Sequence, residues 1–127
     1  MIYLDTSVAL AHLLGETRVP PSTLWEATLL SSRLLEYEIW TQIYARALTA
    51  THAEAVRTLL REVAFIELTP TVLARALEPF PVPVRTLDGL HLASLEFLRA
   101  QRQIVTLASY DERMLRAARA LDIPIFE

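Results

Sequence analysis

The chain has 127 residues, 53% hydrophobic and 21% charged, which predicts one folded domain over residues 1–127 and excludes a disordered segment. A net charge of −3 excludes broad nucleic-acid binding of the basic-protein kind, though not a nuclease whose metal ions supply positive charge locally. With no cysteine there is no disulfide, thiolate nucleophile or Cys-ligated zinc, and with no lysine among the twelve basic residues there is no phosphate-loop lysine or Schiff base.

Ile2 to Leu4 reads as a short buried strand ending in Asp5-Thr6-Ser7, and Val8 to Leu14 as a buried helix stopped by Gly15. A loop through Pro20-Pro21 leads to a short helix started by Ser22, then to a second strand over Leu29-Leu30-Ser31-Ser32. From Leu34 to about Ala50 good helix formers run without Gly or Pro, and Thr51 to Val63 carries apolar residues at helical spacing. Phe65 to Leu68 is the predicted third strand, followed by a brief helix to Leu77 and a stiff connection through Pro79, Pro81 and Pro83. A helix carrying Leu87, Leu90, His91, Ser94, Leu95 and Leu98 on one face comes next. Ile104 to Leu107 is the fourth strand, Asp111 to Leu121 an amphipathic helix, and Ile123 to Phe126 a last edge strand.

Short apolar strands alternating with helices predict an α/β fold, a parallel sheet covered on both faces. Such sheets present their sites at the C-terminal ends of strands, where the strand order reverses. No apolar run approaches the roughly 20 residues of a membrane span. The opening Met1-Ile2-Tyr3-Leu4-Asp5 has no basic leader or cleavage site, so no secretory signal and no membrane association are expected.

Three of the four aspartates fall at such places. Asp5 ends the first strand, Asp88 opens a helix and Asp111 follows the fourth strand. Taken singly, each has an ordinary explanation, because aspartate satisfies free N–H groups at helix starts. Capping does not explain Glu38, inside a predicted helix in Leu34-Leu35-Glu36-Tyr37-Glu38-Ile39-Trp40. A lone carboxylate in apolar surroundings is costly to ionise, and carboxylates gathered around a hard cation remove that cost. Asp5, Glu38, Asp88 and Asp111 around one point suit Mg²⁺ or Mn²⁺, which take oxygen ligands, and the chemistry such a site supports is phosphodiester hydrolysis.

Asp5-Thr6-Ser7, Glu38 after Ser31-Ser32, Arg85-Thr86-Leu87-Asp88-Gly89-Leu90-His91-Leu92-Ala93 and Ser109-Tyr110-Asp111 together resemble the ordered motifs of PIN domains, and over nearly the whole chain the likeness is to VapC-type toxins. The resemblance implies a PIN-like three-layer α/β/α fold with a central parallel sheet in the order 3-2-1-4-5. It also implies a cytoplasmic Mg²⁺- or Mn²⁺-dependent endoribonuclease leaving 5′-phosphate and 3′-hydroxyl ends, and a cognate antitoxin protein that blocks the site. By that carry-over Asp5, Glu38, Asp88 and Asp111 are both the catalytic and the metal-binding set. Ser7 and Thr6 support the first carboxylate or a metal-bound water, and Ser109 holds the polar position before Asp111. Gly89 departs from the pattern, standing where alanine is more usual.

Arg85, close to Asp88, is the best-placed phosphate contact; Arg113, Arg116 and Arg119 read first as a solvated face. His91 reads as a packed core histidine, since no hydroxyl nucleophile sits in a recognisable elbow. The apolar excess and the family likeness predict a homodimer, with Trp25, Trp40, Tyr37 and Tyr44 as core or interface anchors. Two other classes compete with an RNA-hydrolysing enzyme. One is a non-catalytic PIN scaffold that binds RNA or a protein partner. The other is a phosphotransfer enzyme of the receiver or haloacid-dehalogenase-like kind, against which the missing lysine counts.

Overall fold

The computed structural model describes all 127 residues. Four short strands carry the molecule: β1 (Ile2–Leu4), β2 (Leu29–Ser32), β3 (Val63–Ile66) and β4 (Thr106–Ala108). They pair in parallel in the order β3-β2-β1-β4. Parallel neighbours need crossovers, and here helices supply them. Helices α1 (Thr6–Leu14), α2 (Ser22–Glu26), α3 (Leu34–Ala45) and α4 (Thr49–Arg61) lie among the first three strands. Helices α5 (Pro70–Ala76) and α6 (Thr86–Ala100) precede β4, and α7 (Glu112–Ala120) follows it.

Strand alternation divides the apolar residues between two cores, one on each face of the sheet. Ile2, Leu4 and Leu29 point to the face covered by Val8 and Ala9 of α1, Ile39 and Ile43 of α3, and Val56 of α4. Their neighbours Tyr3, Leu30 and Leu107 point to the other face, covered by Leu92 and Leu95 of α6 and Met114 and Ala118 of α7. This is the period of two expected of a strand buried on both faces. Each wholly buried Leu, such as Leu92 or Leu107, stabilises the fold by about 2 kcal/mol relative to its exposed state.

Local signals behave as their chemistry requires. Gly15 ends α1 with φ 62°, the left-handed conformation a glycine adopts without steric cost, and its N–H donates to the Ala11 carbonyl. Thr69 caps α5, its hydroxyl accepting from the Val72 N–H with Pro70 in the first turn.

Several boundaries differ from the sequence reading: the fourth strand is Thr106–Ala108 and not Ile104–Leu107, and the helix expected over Thr51 to Val63 runs Thr49–Arg61. The long helix expected to about Ala50 ends at Ala45, where Ala47 turns the chain at φ 54°. No glycine or proline marks that break. The third strand is Val63–Ile66 and not Phe65–Leu68, because Val63 pairs with Leu29 and buries its side chain in the first core. The expected edge strand Ile123–Phe126 reduces to one parallel bridge between Leu107 and Ile125. It is held by Leu107 N–H donating to Pro124 and Phe126 N–H donating to Leu107. The three-layer parallel architecture stands, with four strands in the order 3-2-1-4 and the chain end laid beside β4 where a fifth would be. No helix is long and apolar enough to cross a membrane.

Candidate active site

Strand order reverses at β1: the chain leaves it towards β2 on one side and returns to β4 on the other. The crevice at a reversal of this kind is where open α/β sheets bind ligands. Here a pocket of about 410 Å³ opens beyond the end of β1, lined by Asp5, Glu38, Asp88 and Asp111 together with Thr6, Ser7 and Arg85. Residues as far apart in the chain as 5 and 111 therefore line one pocket.

Asp5 stands at the N-cap position of α1, yet its side chain makes no cap hydrogen bond. Its Oδ2 instead accepts from the hydroxyls of Ser7 at 2.6 Å and Ser109 at 2.8 Å. Both hydroxyls are fixed in that direction, because Ser7 Oγ accepts from the Tyr110 N–H and Ser109 Oγ from the Asp111 N–H. The β4–α7 loop is thereby stitched to the start of α1. Asp111 is a cap in the ordinary sense, its Oδ1 accepting from the N–H groups of Arg113 and Met114.

Glu38, from the second turn of α3, is turned inward with a side chain 19% exposed. Its Oε1 accepts from the Thr6 hydroxyl at 2.9 Å and from His91 Nε2 at 2.5 Å. The Thr6 hydroxyl thus supports the second carboxylate, where the sequence predicts support of the first carboxylate or of a metal-bound water. His91 of α6 is buried, as a core histidine would be, but both ring nitrogens are committed, Nε2 to Glu38 and Nδ1 to the Tyr3 hydroxyl at 2.7 Å. An ionised carboxylate only accepts, so Nε2 carries a hydrogen. Burial opposes the charged imidazole. The bond to Glu38 and the charges of Asp5 and Asp88 outweigh that, and the His91 pKa lies above its ordinary value. Tyr3, wholly buried in the middle of β1, also accepts from the Ser32 N–H, and burial holds its phenol neutral well above the usual range. Sequence reasoning missed Tyr3. The available signal was a phenol in a fully buried strand, which must find a polar partner.

In Asp5, Glu38 and Asp111 one oxygen takes two donors and the other takes none from the protein. Asp88, in the first turn of α6, differs: its Oδ2 is buried without any hydrogen-bond partner. Desolvation, then the charges of Asp111 and Asp5, push its pKa up to about 6, against a smaller opposing pull from His91 and Arg85. As the side chains stand, no three carboxylates or imidazoles approach one point closely enough to hold a single cation.

Residues 2–120 match the family model for the PIN domain. The chain belongs to the PIN domain family. Two relatives of this PIN domain are both named Ribonuclease VapC35, from Mycobacterium tuberculosis strains CDC 1551 / Oshkosh and ATCC 25618 / H37Rv. Each is 28% identical over 131 residues, covering 98% of this chain and 95% of the relative. The four acids of the pocket come from the β1–α1 junction, α3, α6 and the β4–α7 loop, spread through the stretch that the PIN domain match covers.

Proposed function

We propose that this PIN domain is a VapC-type ribonuclease that hydrolyses RNA phosphodiester bonds with Mg²⁺ or Mn²⁺ in the cytoplasm, as the toxin of a toxin–antitoxin pair. The observation that carries the reading is the unpaired carboxylate oxygens around one pocket, above all the buried Asp88 Oδ2 that no protein donor satisfies. Buried polar atoms are nearly always paired, and a divalent cation is the partner that would also relieve the mutual repulsion of Asp5, Asp88 and Asp111. The donor set is all oxygen, which fits a hard cation.

Asp5, Glu38, Asp88 and Asp111 would hold the ion. A bound ion there supplies Lewis acidity at the phosphoryl oxygen and a water of lowered pKa. The protein's own part is positional. Ser7 and Ser109 hold one oxygen of Asp5, and Thr6 and His91 hold one oxygen of Glu38, which leaves the other oxygen of each carboxylate without a protein donor. Arg85, exposed at the rim, is placed to hold a phosphate beside Asp88.

A homodimer and an antitoxin that lays an arginine into the acidic pocket complete the reading. The exposed Tyr37 and Tyr44 of α3, beside Trp40, offer an aromatic surface for such contacts. One observation favours a non-catalytic scaffold instead, the failure of any three ligands to converge without side-chain movement. The two readings part in one experiment. Purified protein should cut single-stranded RNA with Mg²⁺ or Mn²⁺, stop with EDTA, and fail as Asp5→Asn. Cleavage that survives both treatments rejects the metal mechanism, and no cleavage under any divalent ion favours the scaffold.

A further inference from the structure

The acidic pocket poses an electrostatic problem for its own substrate. The chain carries a net charge of −3, and the reacting phosphate must approach four carboxylates. A cation neutralises that charge at the scissile bond but does nothing for the phosphates on either side. A strand held at the pocket needs positive charge beside it.

Such a place exists. A groove of about 380 Å³ runs between the Val82-Pro83-Val84 segment and α7, with Arg85, Arg113 and Arg116 as its charged members. Arg85 lines both this groove and the carboxylate pocket, so the two open side by side. All three arginines are exposed, and their guanidinium groups form none of the ion pairs that occupy Arg33, Arg57, Arg61, Arg75 and Arg99. No carboxylate lines the groove. Arg113 and Arg116 lie three residues apart on one helix, which sets their Cβ atoms about 5–6 Å apart, a spacing that neighbouring phosphates of a single strand can match. The half-buried Val82 and Val84 form a wall of low dielectric, which concentrates the field of the three charges in the groove.

We infer that this groove is the subsite for the RNA strand flanking the cut, with Arg85 at the junction and Arg113 and Arg116 each pairing one phosphate beyond it. The inference rests on the ribonuclease reading above. The contacts are to the backbone, so the groove fixes the strand's path and register and is indifferent to base identity.

The test compares the wild type with the double variant Arg113→Ala/Arg116→Ala, using a labelled single-stranded RNA of about a dozen nucleotides held uncut by Ca²⁺ in place of Mg²⁺. Binding is followed by anisotropy over about 50 to 300 mM KCl. Each lost phosphate contact flattens the slope of log K against log salt by about 0.7, so the double variant should be shallower by about 1.4. Its affinity at the lowest salt should fall roughly tenfold. With Mg²⁺ the loss should appear in KM and not in kcat, and Arg113→Lys/Arg116→Lys should restore the slope. A misfolded Ala variant is recognised by its melting temperature, and the Lys pair against Arg113→Gln/Arg116→Gln then gives the same comparison.

A wild type that cuts RNA while the double variant matches it in slope and KM overturns the groove and leaves the ribonuclease reading intact. A variant that binds RNA normally but no longer binds a polyglutamate peptide assigns the groove to an acidic protein segment, which also overturns the inference. A wild type that neither binds nor cuts RNA removes both readings together.

Discussion

The two sides of the pocket are built on opposite principles. On the strand side, Asp5 is held by the hydroxyls of Ser7 and of Ser109, just past the end of β4, and both are themselves fixed by backbone N–H groups. On the helix side, Asp88 at the start of α6 has a buried oxygen with no partner and a carboxyl pushed up to about 6. The strand ends are thus a finished anchor, and the helix start holds a destabilised charge. Fixed hydroxyl partners on one side and an unpaired carboxylate oxygen on the other are what the proposed cation site rests on.

The largest expected effect tests the anchor. Asp5→Asn keeps the shape of the side chain but removes charge, and it should lower RNA cleavage by at least on the order of 10²-fold with little change in melting temperature. Cleavage within threefold of wild type would mean that the strand side is not where the chemistry occurs.

Next comes the link between the sides, the chain from Tyr3 through His91 to Glu38. Groups that orient a metal ligand typically matter by about 10- to 100-fold. His91→Ala should weaken Mn²⁺ binding within that range, read by titration without any RNA present. Tyr3→Phe should do the same more mildly. If Mn²⁺ affinity is unmoved while the protein merely melts earlier, His91 is only packing.

The third prediction breaks the comparison from the helix side. Folded Asp88 keeps its proton to about pH 6, while its ordinary carboxyl value is 3.8. The folded state therefore binds more protons in that window, and the group's contribution to stability falls as pH rises from about 4 to about 6. In EDTA, Asp88→Asn should be more stable than wild type at pH 7, by about 1–2 kcal/mol once solvent screening of a half-buried group is allowed for. The gap should close near pH 4. A gap independent of pH would show that the stored charge is not the cause.

The smallest effect is at Gly89, next to Asp88. A Cβ there would meet Phe80 and Val84 at 3.6 Å, ordinary contact distance. Gly89→Ala should stabilise the helix start by roughly 0.5–1 kcal/mol, a rise of a few degrees in melting temperature.

Much of this arrangement was legible in the amino-acid sequence because it depends on placement. Asp5 and Asp111 follow apolar runs, Asp88 precedes one, and Glu38 sits in a helix beside the buried Leu34, Leu35 and Ile39. The strand order came from the PIN resemblance, which the family match supports over residues 2–120. What placement does not encode is partnership. An apolar helix face looks the same whether His91 packs or bonds a carboxylate, and nothing local tells that the Thr6 hydroxyl reaches across to Glu38. The boundaries that shifted, at Ala45 and Val63, lie in apolar stretches where tertiary pairing decides and periodicity does not. The last strand is reduced to one bridge for a different reason, since Pro124 has no N–H to offer a ladder.

Titrating Mn²⁺ into the metal-free protein and following the loss of the free-ion electron paramagnetic resonance signal would test most directly whether these carboxylates share an ion. The account predicts saturable uptake of at least one ion per chain in the wild type, weakened sharply in both Asp5→Asn and Asp88→Asn. No saturable uptake by the wild type, or uptake unaffected by either substitution, would contradict it.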